Sequence, residues 1–87
     1  MNWRLVYSKL AGKDAKKLNR AGLKKQTLEL LEILQKNPFQ NPPPYEKLSG
    51  ELVGLYSRRI NIHHRMVYQI VEEKKTVKIL RMWTYYK

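Results

Sequence analysis

The sequence predicts an α+β fold in the order β-α-α-β-β-β, with two helices packed on one side of an antiparallel sheet. Amphipathic periodicity in the first half of the chain predicts the helices, and strand-forming runs separated by short polar turns predict the sheet. Consecutive strands with such short connections form an antiparallel meander. At 87 residues the chain has room for one modest core, so we expect a single domain over residues 1–87.

The first half of the chain is predicted to contain one strand and two helices. Residues 2–7 are rich in strand formers, and Ser8 is a suitable N-cap for a helix over residues 9–20. Gly22 interrupts the helical pattern, and a second helix is predicted to follow it to about Gln35. The side chains expected to face the sheet are Leu10, Ala11, Asp14, Ala15 and Leu18 in the first helix and Leu23, Leu28, Leu30, Leu31, Ile33 and Leu34 in the second.

The second half of the chain begins where Asn37-Pro38 ends the second helix, because the residue before a proline resists helical geometry. Asn41-Pro42-Pro43-Pro44 is predicted to be a stiff extended connector. It either only prevents regular structure or also sets the position of Glu46 just beyond it. Ser49-Gly50 is predicted to form a turn. Strands are expected at 53–61, 64–72 and 76–84, joined by turns at residues 61–63 and 73–75.

Composition points to a polyanionic partner. The chain has 18 Lys and Arg against 7 Asp and Glu, and its net charge of +11 suits binding to nucleic acid, an acidic protein or an anionic membrane surface. We expect neither a membrane span nor secretion, because no apolar run reaches roughly 18 residues and no signal-peptide block is present. The lack of cysteine excludes disulfides and thiolate chemistry and fits a cytoplasmic protein.

The residues that carry chemistry lie from Glu46 onward. A carboxylate, several guanidinium groups and proton-carrying side chains can together hold a phosphodiester and move protons around it. The segments are Tyr45-Glu46-Lys47-Leu48, Tyr56-Ser57-Arg58-Arg59-Ile60, His64-Arg65-Met66-Val67-Tyr68 and Trp83-Thr84-Tyr85-Tyr86. This order and spacing resembles the YoeB family of bacterial toxins, within the RelE superfamily of ribosome-dependent messenger-RNA endonucleases. The resemblance is good from about Pro38 to Tyr86 and is a matter of pattern before it.

The resemblance implies a RelE-like RNase fold and metal-independent cleavage. In that chemistry the 2′-hydroxyl attacks its own phosphate and leaves a 2′,3′-cyclic phosphate and a 5′-hydroxyl, which requires a base, cations and an acid. Without the resemblance, Glu46 would be interpreted as a solvated surface residue and Arg65 as an exposed arginine near a strand end. The resemblance makes Glu46 the general base and Arg65 the phosphate clamp. We expect no cofactor and no metal ion.

Further cations are candidates for binding RNA. Arg58 and Arg59 are adjacent, so a regular strand directs them to opposite faces of the sheet. One can face RNA while the other packs against helix or solvent, and the resemblance favours Arg59 for the RNA side. Arg58, Lys47 and Arg81 complete the set of predicted RNA-binding residues.

The proton donor is where the chain departs from the family pattern. YoeB-like chains usually end in His-Tyr, whereas this chain has Tyr85-Tyr86. A histidine exchanges a proton near neutrality, whereas a phenol holds its proton more tightly. Tyr85 is therefore either the general acid or the mark of a weakened enzyme that still binds RNA, and Tyr86 is expected to orient or stack on the substrate. His63 and His64 are alternative proton donors, although a polar turn in which His64 supports the strand is the favoured interpretation.

Three functions remain open from the sequence. The first is the toxin of a type II toxin–antitoxin pair that cuts messenger RNA in the ribosomal A site, and its implied partners are the ribosome with its message, a cognate antitoxin and a second copy in a homodimer. The second is a non-catalytic module that keeps RNA, ribosome and antitoxin binding but lost cleavage with the histidine. The third is a general basic DNA- or RNA-binding domain, for which base-contacting helices are not evident.

Overall fold

The structure, a computed structural model, describes residues 2–48 and 54–85, with the backbone alone described for Thr84 and Tyr85. The predicted turn at Ser49-Gly50 lies outside these residues. The elements are β1 (Arg4–Tyr7), α1 (Lys9–Arg20), α2 (Lys24–Lys36), β2 (Glu46–Lys47), β3 (Leu55–Arg59), β4 (His64–Val71) and β5 (Thr76–Tyr85), with a short 3-10 helix (Glu72–Lys74) before the last strand.

The α1 helix has the predicted bounds because Ser8 caps it. The Ser8 Oγ accepts a hydrogen bond from the Ala11 N–H at 3.0 Å and donates one to the Leu80 carbonyl at 2.7 Å, so the cap also ties α1 to β5.

Two leucines predicted to face the sheet, Leu10 and Leu28, are instead exposed, because each lies to one side of the stripe that its helix buries. Within the described residues, no helix is long and apolar enough to cross a membrane.

The sheet formed by the described residues has five strands in the order β1-β5-β4-β3-β2. The predicted α+β fold with two helices on a sheet is confirmed. The sheet is mixed rather than antiparallel, because β1 pairs with β5 in parallel while the other neighbours are antiparallel. Parallel pairing needs a long crossover, which the helices and the later strands supply between the two. The short strand β2 was not predicted.

The two faces of the sheet have different roles. One face packs on the helices and forms the core with α1 and α2, and its most deeply buried strand residues are Met66, Tyr68, Val77 and Ile79. Side chains alternate between faces along a strand. The opposite face, here called the open face, therefore carries Glu46, Ser57, Arg59 and Arg65, whose cross-strand register places them together.

The connector between α2 and β2 does not run extended as predicted. It bends at Pro42 and Pro43, and the Asn41–Pro42 and Pro42–Pro43 peptide bonds are cis. Pro38, at its start, is buried. The connector leads directly into β2, which begins at Glu46.

Candidate functional site

Glu46 and Arg65 meet on the open face. One Glu46 carboxylate oxygen lies 3.3 Å from an Arg65 guanidinium nitrogen, and the same nitrogen donates a hydrogen bond to the Ser57 Oγ at 3.3 Å. The Glu46 side chain is 61% exposed, whereas that of Arg65 is 13% exposed. The carboxylate thus reaches solvent, whereas the mostly buried arginine is hydrogen-bonded to Ser57. This arrangement sets a proton acceptor beside a fixed cation.

Arg59 adds a second cation to the same face. It is the direct cross-strand partner of Arg65, and its side chain is exposed. Like charges directly opposite each other on a sheet are destabilising. A pair of arginines in this position therefore favours an anion, and Glu46, which contacts Arg65, carries only one negative charge. A phosphate group would complete the charge balance, because guanidinium groups bind phosphate through paired donors.

Arg58 points the other way, as alternation along β3 predicts. Its guanidinium is fully buried and donates to the Pro38, Gln40 and Pro43 carbonyls and to the Tyr68 hydroxyl. A side chain that is 1% exposed has no surface through which to contact RNA. The predicted RNA-binding role of Arg58 is thus not supported by the structure, and its hydrogen bonds assign it to the connector.

Two other predicted RNA-binding cations lie away from the Glu46–Arg65 pair. Lys47 is exposed, but alternation along β2 directs it to the face opposite Glu46. Arg81 is bound to Asp14 of α1, with its Nε 2.9 Å from one carboxylate oxygen and a second nitrogen 3.4 Å from the other. Burial raises the pKa of the Asp14 carboxyl, but hydrogen bonds from Arg81 and from backbone N–H groups of β5 outweigh it and hold the pKa below its usual value.

The chain end brings the backbone of Tyr85 close to the site. Tyr85 pairs with His64 at the register position next to that of Thr84 and Arg65. The His64 side chain is buried and stacks on Trp83 with ring centroids 3.9 Å apart, on the face of β4 opposite Arg65. Burial, with a smaller effect of His63, lowers the pKa of His64. This placement matches the supporting role favoured for His64, and Tyr86 lies outside the described residues.

Sequence reasoning missed the part that Ser57 plays. Ser57 is fully buried, is the register partner of Glu46 and accepts a hydrogen bond from Arg65. A serine before two arginines has no distinctive pattern, and the pairing of β2 with β3 that would have indicated it was not predicted, because β2 itself was not. Within residues 2–48 and 54–85, no group of three or more metal-ligating side chains lies together.

Solved structures of bacterial toxins share this fold. A YoeB/ParE toxin from Agrobacterium tumefaciens superposes with a TM-score of 0.85 at 25% identity, over 95% of this chain and 99% of that one. The YoeB toxin in a heterotetrameric YoeB–YefM toxin–antitoxin complex from Staphylococcus aureus superposes with a TM-score of 0.80 at 30% identity, over 99% of this chain and 100% of that one. Fold and site together define a toxin of the RelE/ParE superfamily.

The family follows from the sequence comparison. Residues 7–86 match the profile of the family described as YoeB-like toxin of bacterial type II toxin-antitoxin system, and the chain belongs to this family. A YoeB toxin of Mycobacterium bovis is 40% identical over 48 residues, 55% of this chain and 56% of that protein, so the chain spans about half the length of this relative. The YoeB toxin of Escherichia coli K12 is 32% identical over 57 residues, covering 66% of this chain and 68% of that protein.

Proposed function

We propose that this toxin is a ribosome-dependent endonuclease that cuts messenger RNA in the ribosomal A site. The observation that carries the proposal is the joint position of Glu46, Arg65 and Arg59 on one open face of the sheet. A proton acceptor beside two guanidinium groups suits an RNA phosphodiester. Family membership supports a nuclease, because YoeB-family toxins are generally ribonucleases.

The proposed reaction uses side chains of the protein, the 2′-hydroxyl of the RNA and proton exchange with solvent. Glu46 takes the proton of the 2′-hydroxyl, and the oxygen then attacks the adjacent phosphorus. Arg65 and Arg59 stabilise the negative charge that builds on the phosphoryl oxygens. The bond from phosphorus to the 5′-oxygen breaks, and Tyr85 protonates the leaving oxygen. The products are a 2′,3′-cyclic phosphate and a 5′-hydroxyl, and solvent returns a proton to Tyr85 and removes one from Glu46.

Several residues support this reaction without taking part in proton transfer. Ser57 restrains Arg65 through the hydrogen bond to its guanidinium, so the cation is already in position before RNA arrives. Tyr86 is proposed to orient the substrate. The exposed lysines of α1 are proposed to meet ribosomal RNA backbone, where they add affinity without sequence information.

The proposed protein partners follow from the relatives. A YoeB of Staphylococcus aureus has been solved in a complex with the antitoxin YefM and also as a dimer. We propose that this chain likewise binds a cognate antitoxin and pairs with a second copy, and that it acts in the cytoplasm, where ribosomes are found. The +11 charge suits an acidic antitoxin segment.

Mapping new 5′ ends on ribosome-bound message tests the proposal. Ribosomes carrying a defined message are incubated with the wild type, with Glu46→Gln and with Glu32→Gln, which changes an exposed carboxylate on α2 in the same way. The wild type and Glu32→Gln should cut within the A-site codon, and Glu46→Gln should cut roughly 10²–10⁴-fold more slowly. Equal cutting by all three proteins would exclude Glu46 as the base.

The second candidate function is a binding module that no longer cleaves. Tyr85 favours it, because a tyrosine stands where the family pattern has a histidine. Tyr85→Phe removes the phenolic proton and should abolish cutting if Tyr85 is the acid; an unchanged rate would exclude that role. Tyr85→His should raise the rate greatly only if the native site is impaired. Absence of cutting by the wild type with intact ribosome binding would establish the binding module.

A further inference from the structure

Arg58 connects the sheet to the segment that carries Glu46. From β3 its guanidinium reaches the Pro38 and Gln40 carbonyls, at 2.9 and 2.7 Å, and the Pro43 carbonyl. These carbonyls span the connector from the end of α2 to within three residues of Glu46. One buried side chain therefore holds both ends of this segment.

The buried charge of Arg58 is compensated by hydrogen bonds to neutral groups. Among the described residues, no carboxylate forms an ion pair with it, and its partners are backbone carbonyls and the Tyr68 hydroxyl. Burying a cation is costly unless its donors are hydrogen-bonded. An apolar side chain could fill this position without that cost. The guanidinium is therefore best explained by the hydrogen bonds that it donates to the connector. Its planar fork carries donors on three separate nitrogens and can reach acceptors that lie apart, whereas the three donors of a lysine all lie on one atom.

β2 is a very short strand, and the residues before it contact Arg58. β2 contains only Glu46 and Lys47, so its own ladder does little to fix the strand. The Tyr45 ring lies over the Arg58 guanidinium, 4.9 Å from carbon to centroid, and packs against Tyr56. The residue before Glu46 and the connector before it are thus both bound to Arg58. Ser57, next to Arg58, is the register partner of Glu46.

We propose that Arg58 is a positioning residue that sets Glu46 opposite Ser57 and within reach of Arg65. It acts through the connector and Tyr45 and does not touch the substrate. This inference rests on the proposed function, because it assigns to Glu46 a catalytic task that depends on its position. Loss of the Arg58 contacts should let the connector move while the core stays folded.

Arg58→Lys is the direct test, measured as the cleavage rate at saturating toxin on ribosome-bound message. A lysine keeps the charge, but its three donors lie on one atom and do not match carbonyls arranged around a planar fork. The rate should therefore fall by roughly 10²-fold with ribosome affinity unchanged, as expected for a displaced catalytic group. Tyr68→Phe is the matched control, because it removes a hydrogen bond to the Arg58 Nε without releasing the connector. Its rate should stay within about twofold of the wild type. A normal rate for Arg58→Lys would overturn the inference.

The double variant separates positioning from general loss of stability. If Arg58 acts through Glu46, Arg58→Lys should cost almost nothing further in the Glu46→Gln background. An equal cost in both backgrounds would overturn the inference, whereas full activity of Glu46→Gln alone would instead refute the proposed function. If Arg58→Lys does not fold, Tyr45→Leu takes its place in the test, because it removes the ring over the guanidinium. A normal cleavage rate for Tyr45→Leu, or an equal cost with and without Glu46→Gln, would then overturn the inference.

Discussion

Asp14→Asn tests whether a buried carboxylate holds α1 against β5. The Asp14 side chain is 2% exposed, and its oxygens accept hydrogen bonds from the Arg81 guanidinium and the Met82 N–H. Asparagine has almost the same size but carries no charge and has only one acceptor oxygen. Arg81 therefore loses its ion pair, and one of its donors faces an NH₂ group or is left without a partner.

The expected loss of stability is a large part of the total. Removing one partner of a fully buried ion pair costs about 3–5 kcal/mol. Arg81 is 41% exposed and can regain part of its hydration, so the cost should be about 2–3 kcal/mol, in the range of a hydrogen bond to a charged group. For 87 residues the free energy of unfolding is roughly 4–13 kcal/mol. At roughly 4–8 °C per kcal/mol, the melting temperature should fall by roughly 8–24 °C.

Unfolding in guanidinium chloride and by heat, followed by circular dichroism, measures this loss. Glu32→Gln is the matched control, since Glu32 pairs with Lys36 at 3.3 Å on the exposed side of α2. That surface pair should contribute less than about 1 kcal/mol. If both amide variants shift the unfolding midpoint equally, the Asp14–Arg81 contact contributes no more to stability than an exposed surface pair, contrary to the prediction.

Three further predictions concern pH, the phosphate clamp and salt. The pKa of Asp14 in the folded protein lies below its usual 3.8, so its contribution to stability is full above pH 3.8 and is lost as the pH falls through the lower folded pKa. The free energy of unfolding should therefore fall less steeply with acid for Asp14→Asn than for the wild type. Identical pH curves for the two proteins would contradict this. Arg65→Lys should lower the cleavage rate about 10²-fold in single-turnover assays, since an ammonium cannot give paired planar donors; an unchanged rate would remove Arg65 from the mechanism. Ribosome affinity should fall steeply between roughly 50 and 200 mM salt in filter binding; a flat response would show that the +11 charge is not used.

Local features of the fold could be predicted because neighbouring residues determine them. Ser8 and the spacing of α1 gave the helix its bounds, and alternation placed Arg58 and Arg59 on opposite faces. Which strand lies beside β1 depends on contacts between the two ends of the chain. No local pattern records such contacts, so the parallel pairing with β5 was not predicted.

The candidate site was predictable residue by residue but not as an arrangement. Family resemblance indicated Glu46 and Arg65, yet their 3.3 Å approach depends on a connector that the sequence describes only as rich in proline. The burial of Arg58 was missed for the same reason, because its carbonyl partners lie 15–20 residues away along the chain. Arg81 was predicted to bind RNA, since nothing local showed that Asp14 lies beside it.

The most direct test of attack by the 2′-hydroxyl is a message with a single 2′-deoxynucleotide immediately 5′ of the scissile phosphate. Ribosomes carrying this message or the all-ribose message are incubated with the wild type and with Glu46→Gln, and the cleavage rate at that bond is measured. If Glu46 activates the 2′-hydroxyl, the deoxy substitution should abolish wild-type cutting at that bond and leave other sites intact. Continued cutting of the deoxy message at the same bond would contradict attack by the 2′-hydroxyl and the role assigned to Glu46.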